Sequence, residues 1–222
     1  MKFNRILIIM ILSIFIISCG PKIESSNVKI KRGYKKDFSG YLGSTIGSLT
    51  EIIPKEETAS NWTSMFTMQF MEGIKFSAKE SLRRLSKMAK KNCGEKFNLK
   101  IIREESNSVT FEWSVRDCKQ IDFMKHVSKG IAVDNCDINY FTGLIYFGSQ
   151  NYGAPSQCKK NATQTEIARF IKGNDGLHRV SYTEKTENID PIERKKWLAS
   201  LENAYIKKDG KKVVLRSNKA LK

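Results

Sequence analysis

Five cysteines are the residues of this 222-residue chain whose type and spacing could do chemistry. A thiolate can bind a metal, act as a nucleophile or join a second thiol in a disulfide. Zinc sites use cysteine and histidine ligands at short spacings such as C-x-x-C, and no such spacing occurs here. No nucleophile motif surrounds any of the five. We therefore expect these side chains to serve in covalent attachment and crosslinking, not in metal binding or catalysis.

Cys19 stands apart because it ends an apolar run near the start of the chain. Residues 1–5 are short and basic, residues 6–17 are apolar, and Ser18-Cys19-Gly20 follows. The run is too short for a comfortable membrane span, and this order of segments is typical of a secretory signal. We expect residues 1–18 to be a signal peptide. An uncleaved anchor helix, or an ordinary signal cleaved nearby, is the alternative.

The cysteine at the end of this signal makes the assignment more specific. Ile16-Ile17-Ser18-Cys19 resembles the bacterial lipobox, in which the cysteine becomes the acylated first residue of the mature chain. The resemblance implies a lipoprotein that carries palmitate or a similar acyl group on Cys19. Gly20 follows where inner-membrane lipoproteins carry aspartate, so the resemblance also implies an outer-membrane location that faces the periplasm.

The other four cysteines form an even set, which in an oxidising compartment favours two disulfides. They are Cys93, Cys118, Cys136 and Cys158. Four cysteines permit three connectivities, and all three stay open at this point. We favour Cys93 with Cys118 and Cys136 with Cys158, because each pair would close a compact excursion between neighbouring elements.

The search for a catalytic constellation is negative. His126 and His178 are the two histidines, and they lie in separate predicted elements. The chain has no H-E-x-x-H zinc helix, no G-x-S-x-G nucleophile elbow and no G-x-x-x-x-G-K-[ST] phosphate loop. We expect a non-enzymatic protein without a cofactor or bound metal. The alternative is a periplasmic enzyme of unfamiliar design that uses His126 or His178 as general base.

The chain carries a formal net charge of +16, and the signal segment contributes only Lys2 and Arg5 to its basic residues. In the cytoplasm such an excess would indicate nucleic acid, but export argues against that partner. The remaining anionic partners are lipid head groups, glycans and acidic envelope proteins. A solvated lysine-rich surface without a partner is the alternative.

The basic residues concentrate in three segments, which lie before, within and after one predicted domain that spans residues 41–208. The first segment lies in a flexible tether over residues 19–40, and the last is a basic tail over 209–222. Between them, one face of a predicted helix supplies the candidate partner-binding residues Lys79, Arg83, Arg84 and Lys87.

The elements around these residues follow from local patterns. Ser77-Ala78-Lys79-Glu80 is typical of a capping box, and Gly94 of a helix end. Between them Leu82, Leu85, Met88 and Ala89 form an apolar stripe. A second helix begins at Asp190-Pro191, with a stripe made of Trp197, Leu198, Leu201, Ala204 and Tyr205.

Alternating apolar residues predict strands over 49–54, 65–71, 97–101, 109–115, 166–172 and 177–184. Gly173-Asn174-Asp175-Gly176 connects the last two as a hairpin turn. We therefore predict the α+β class, with an antiparallel sheet on which two main helices pack.

Two segments carry a resemblance to known proteins. Asn61-Trp62-Thr63 with Met65-x-Thr67-Met68-Gln69, and the stretch around Gly173-Asn174-Asp175-Gly176, resemble a family of uncharacterised signal-bearing proteins and lipoproteins of proteobacteria. The order of elements is also similar to the Mog1/PsbP-like arrangement, which implies a sheet between helices. Neither resemblance implies an active site.

Relative to this family pattern, residues 119–160 look like an insertion. It holds the aromatic residues Tyr140, Phe141, Tyr146 and Phe147, flanked by Cys136 and Cys158. A disulfide-stiffened hairpin would offer these rings to a partner, since rigid aromatic side chains bury much area at a low entropy cost. Packing of the same rings in the core is the alternative.

Overall fold

The computed structural model describes residues 25–27, 33–41, 47–58, 61–121, 141–142, 157–208 and 211–212. Several predicted features lie outside this part of the chain. They are the signal segment, Cys19, His126, Cys136, the side chain of Cys158, the rings of Tyr140, Tyr146 and Phe147, and the tail beyond residue 212.

The described residues form ten strands and two α-helices with defined bounds, and Phe141 and Thr142 are also helical. The strands are β1 (Ser25–Asn27), β2 (Tyr34–Tyr41), β3 (Ser48–Pro54), β4 (Ser64–Glu72), β5 (Phe97–Glu104), β6 (Ser108–Ile121), β7 (Gln157–Lys172), β8 (Gly176–Glu184), β9 (Tyr205–Lys208) and β10 (Lys211–Lys212). The helices are α1 (Ala78–Cys93) and α2 (Pro191–Glu202), and a short 3-10 turn (Gly94–Lys96) follows α1.

Seven strands make one antiparallel sheet in the order β2-β3-β4-β8-β7-β6-β5. After β4 the chain crosses through α1 to the far edge and returns as a meander, so that β8 pairs with β4. β1, β9 and β10 form a separate three-stranded ribbon. The predicted antiparallel sheet with two helices is confirmed, and the described residues are mainly β with some helix.

The two helices lie on opposite faces of the sheet. Successive side chains of a strand point to opposite sides, so each face of the sheet has its own helix and its own core. On the α1 face, Trp113 and Phe170 pack with the apolar stripe of α1. On the α2 face, Trp197 stacks on Phe66 and Tyr182, with ring centroids 5.3 and 4.4 Å apart. The central strands are therefore buried on both sides.

The local signals of α1 act as predicted, with one difference. The Ser77 hydroxyl accepts a hydrogen bond from the Glu80 backbone N–H at 3.1 Å, and Gly94 ends the helix with a φ of +59°. The Glu80 carboxylate, however, accepts hydrogen bonds from Arg83 and Arg84. In a full capping box it would instead accept one from the backbone N–H of Ser77. The arginines provide a charged donor, which is the stronger partner.

The second helix begins where the sequence predicts and ends earlier than its apolar stripe. Asp190 accepts hydrogen bonds from the backbone N–H groups of Ile192 and Glu193. The helix ends at Glu202, so Ala204 and Tyr205 lie beyond it, and Tyr205 begins β9. Ala204 is still buried in the core of the α2 face, which explains why it continues the stripe.

The sheet begins at Tyr34, inside the segment expected to be a tether. β2 is an edge strand that pairs with β3, and most of its side chains are exposed. Its polar, lysine-rich composition is that of an edge strand in contact with water. Tyr34 holds it in place, because its ring lies edge-on to Trp197 and its hydroxyl is 3.2 Å from the Ser64 hydroxyl.

The favoured disulfide between Cys93 and Cys118 is present. It joins the last residue of α1 to β6, with the two Cα atoms 5.4 Å apart. The bond therefore fastens the end of α1 to the sheet. Its predicted companion, Cys136 with Cys158, lies outside the described side chains.

Candidate functional site

The outward surface of α1 is made largely of basic side chains. Its inward positions are buried in the core of the α1 face, which fixes the rotation of the helix. Glu80 is the one acidic residue of α1. We call the following exposed residues the basic face of α1: Lys79, Arg83, Arg84, Lys87, Lys90 and Lys91.

Ion pairs engage all three basic residues in the first half of this basic face. Arg83 donates two hydrogen bonds of 2.7 Å to the Glu80 carboxylate, and Arg84 donates a third of the same length. These bonds from Arg83 and Arg84 lower the pKa of Glu80 to about 2. Lys79 contacts Glu104 at 2.7 Å. Three of the four predicted binding residues are thus already paired with carboxylates.

The unpaired positive charge lies in the second half of α1. Within the described part of the chain, Lys87, Lys90 and Lys91 form no ion pair and are exposed. Lys90 and Lys91 lie in the last turn, where the helix dipole stabilises cations. The candidate contact therefore lies near the disulfide-fixed end of α1, and not at Lys79, Arg83 and Arg84.

An exposed aromatic ring adjoins the basic face. Phe76, which precedes the helix, is 41% exposed. The guanidinium carbon of Arg84 lies 3.8 Å from the centre of its ring, a cation–π contact. Sequence reasoning missed Phe76, because a single apolar residue before a helix is not distinctive.

One of the candidate aromatic residues belongs to the core. Phe141 is fully buried and stacks on Trp113, with ring centroids 4.6 Å apart. The prediction that Phe141 offers its ring to a partner is therefore wrong. The Phe141 ring packs against the broad apolar surface of Trp113 on the α1 face.

A second arrangement, which sequence reasoning missed, is a buried polar cluster on the α1 face. Arg179 of β8 and Glu166 of β7 are fully buried and form an ion pair. The Arg179 Nε–H donates to Glu166 Oε1 at 3.1 Å, and its Nη1 donates to the Gln69 and Thr142 side chains at 3.3 and 3.1 Å. Thr183 donates to the same carboxylate at 2.8 Å. We call this the Arg179 cluster.

Hydrogen-bonding capacity around the Arg179 cluster is not fully used. Thr67 and Ser181 lie opposite each other in the β4–β8 register, and their buried hydroxyls have no hydrogen-bond partner among the described residues. Within the same part of the chain, the Gln69 amide nitrogen also has none. Each buried polar group without a partner lowers the stability of the fold.

The Arg179 cluster does not form a recognisable catalytic site. Its guanidinium is neutralised by Glu166, and the side chains around it are buried from solvent. His178 lies on the other face of the sheet, fully buried, with its ring 4.6 Å from that of Phe70. The described residues contain no group of three or more histidine, cysteine or acidic side chains that could hold a metal ion.

A surface cavity of about 250 Å³ lies beside the start of β5 and the middle of β6. It is lined by Glu95, Lys96, Asn98, Ser114, Val115, Arg116, Glu187 and Asn188. Arg116 is paired with Glu187 at 2.9 Å, and Lys96 with Asp117 at 2.8 Å. Both basic side chains of the lining are therefore already paired with a carboxylate of the protein.

Glu51 is the group near the Arg179 cluster that titrates in an accessible range. Burial raises its pKa to about 7, against the opposing effect of Arg179, while Asp37 adds to the rise. The Thr142 hydroxyl lies 3.5 Å from Glu51 Oε1 and also bonds to Arg179. Protonation of Glu51 therefore favours the folded state.

We expect Glu51→Gln to remove a pH dependence of stability. A carboxyl whose pKa is higher in the folded than in the unfolded state stabilises the fold at low pH. That contribution, about 3 kcal/mol, is lost as the pH rises from about 4.5 to about 7. Urea unfolding at several pH values measures it, with exposed Glu56→Gln as control. If the free energy of unfolding of Glu51→Gln changes with pH as that of the wild type does, Glu51 is not the group responsible.

Comparison with known proteins finds no match to this chain among protein-family models, curated proteins or solved structures. Within the described residues, neither helix has the length and apolar character needed to cross a membrane.

Proposed function

We propose that this chain is an exported lipoprotein of the bacterial envelope, acylated at Cys19, whose α+β domain is a non-enzymatic binding or assembly component. The lipobox pattern and Gly20 support an outer-membrane location that faces the periplasm. The Cys93–Cys118 disulfide is of the kind that forms in such an oxidising compartment. The partner is an envelope protein, an anionic lipid or a glycan, and not nucleic acid.

The observation that carries the binding role is the unpaired charge on the basic face of α1. Lys87, Lys90 and Lys91 present three cations on one exposed surface. The helix beneath them is fixed by its buried stripe and by the disulfide at Cys93. A surface ordered in advance loses little entropy on binding, which favours recognition of phosphate or carboxylate groups.

We also propose that the fold is Mog1/PsbP-like. Its support is the order of elements, in which an antiparallel sheet lies between helices on its two faces. This arrangement supplies a scaffold for the basic face and implies no catalytic residue.

The proposed function predicts that Lys87→Gln/Lys90→Gln/Lys91→Gln weakens partner binding about tenfold, because exposed ion pairs contribute up to about 1 kcal/mol each. A photoreactive amino acid at position 86, beside the basic face, would capture the partner in intact envelopes. The yield of each crosslinked species is the measurement.

The matched control is Lys55→Gln/Lys100→Gln/Lys195→Gln, which removes the same charge from exposed positions elsewhere. It should leave the yields unchanged. Equal yields from the two triple variants would show that the basic face of α1 does not contact the partner.

A further inference from the structure

The two ends of the described chain meet in one ribbon. β1 pairs antiparallel with β9, so that Ser25 lies opposite Lys207 and Asn27 opposite Tyr205. β10 pairs with the other edge of β9, with Lys211 opposite Lys208. We call these three strands the terminal ribbon. It joins the segment that follows Cys19 to the lysine-rich segment at the other end of the sequence.

The terminal ribbon is close to the proposed acylation site along the chain. Residues 20–24 separate Cys19 from Ser25. Since an extended chain spans at most about 3.6 Å per residue, the two Cα atoms lie within about 22 Å of each other. A lipid on Cys19 therefore holds the ribbon near the head groups of its membrane, a step that rests on the proposed function.

The terminal ribbon and the basic face of α1 lie on opposite sides of the sheet. Ile206 of β9 packs in the core of the α2 face, together with Trp197 and Leu201. The stripe of α1 packs on the other face. When the ribbon side is turned toward the membrane, the basic face of α1 is turned away from it.

The charge of the terminal ribbon suits an anionic surface. Its short strands carry Lys207, Lys208, Lys211 and Lys212. Lys208 is paired with Asp175 at 2.8 Å, which fastens β9 to the turn between β7 and β8. The other lysines of these strands are Lys207, Lys211 and Lys212. Attraction between such basic residues and anionic lipids acts within a screening length of about 8 Å.

We infer that the terminal ribbon docks on the anionic lipid head groups of the membrane that holds acylated Cys19, and thereby turns the basic face of α1 toward the space beyond that membrane. The acyl group supplies the attachment and the ribbon supplies the orientation. A partner of the α1 face then lies in the envelope space, and the anchoring membrane is excluded as that partner.

Lysine acetylation of the acylated full chain tests this orientation without any substitution. The chain is inserted in vesicles of phosphatidylcholine, with or without phosphatidylglycerol, and acetylation of each amine is followed by mass spectrometry. We expect Lys207, Lys211 and Lys212 to react about tenfold more slowly with the anionic vesicles. Lys87, Lys90 and Lys91 should react equally in both. Equal rates for the ribbon lysines, or protection of the α1 lysines, would overturn the inference.

Vesicle sedimentation of the unacylated mature chain, which begins at residue 19 and carries Cys19→Ser, separates the ribbon from the lipid and from the apolar signal segment. Lys207→Gln/Lys211→Gln/Lys212→Gln should weaken binding to phosphatidylglycerol vesicles about 100-fold, whereas Lys87→Gln/Lys90→Gln/Lys91→Gln should not. The reverse result would make α1 the membrane surface and contradict the inference. Absence of acylation in cells would instead contradict the proposed function, so the two failures are distinguishable.

Discussion

Arg179→Met is expected to lower the free energy of unfolding by about 3 to 5 kcal/mol, because it leaves the buried Glu166 carboxylate without its charge partner. Both side chains of this pair are fully shielded from water. The variant also removes the hydrogen bonds that Arg179 donates to Gln69 and Thr142. Urea unfolding followed by tryptophan fluorescence measures the loss.

Two further variants make this prediction specific. Arg179→Met/Glu166→Met removes both charges and should recover much of the stability, because an apolar pair of similar volume avoids the burial of an ion. Arg116→Met is the matched control, since Arg116 is paired with Glu187 at an exposed position and should cost less than about 1 kcal/mol. If the double variant is no more stable than Arg179→Met, the loss does not come from an unpaired charge.

Removal of the Cys93–Cys118 disulfide is expected to have the second largest effect. The bond closes a loop with a sequence separation of 25 residues, for which loop entropy predicts a loss of about 3 kcal/mol. Cys93→Ala/Cys118→Ala should also release the last turn of α1, which carries Lys90 and Lys91. Urea unfolding gives the first quantity, and amide hydrogen exchange in the last turn gives the second.

Reductant provides the control for this variant. It should destabilise the wild type by at least as much as the substitutions do. If reductant further lowers the stability of Cys93→Ala/Cys118→Ala, the additional loss is due to the predicted Cys136–Cys158 disulfide. Unfolding midpoints that agree for the wild type and the variant under oxidising conditions would contradict a structural role of the Cys93–Cys118 bond.

Elements with strong local signals were predictable from sequence. Ser77 and Gly94 bound α1 because capping depends on adjacent residues, and Asp190 marks the start of α2 for the same reason. The alternation in β6 also predicts its strand, since every second side chain of the stretch around Trp113 is buried.

Features that depend on distant residues could not be predicted. Glu166 and Arg179 lie in strands that are buried on both faces. Apolar and polar residues do not alternate regularly in such strands, so the sequence pattern does not show which charged side chains point inward. The pairing of β1 with β9 joins opposite ends of the chain, and no local pattern encodes it. The polar composition of β2 concealed a strand, because an edge strand is solvated.

The candidate binding site was predicted in part. The sequence placed Lys79, Arg83, Arg84 and Lys87 on one helix surface, and the structure shows them exposed there. Periodicity does not reveal that Glu104, from a different strand, pairs with Lys79. Only tertiary structure therefore identifies the unpaired lysines.

Metabolic labelling with a fatty acid tests the central claim, that this protein works from a membrane surface outside the cytoplasm, more directly than any other measurement. We expect the wild type to be labelled and to sediment with the outer membrane. Cys19→Ala should carry no label. An unlabelled wild type, or equal labelling of Cys19→Ala, would contradict the account.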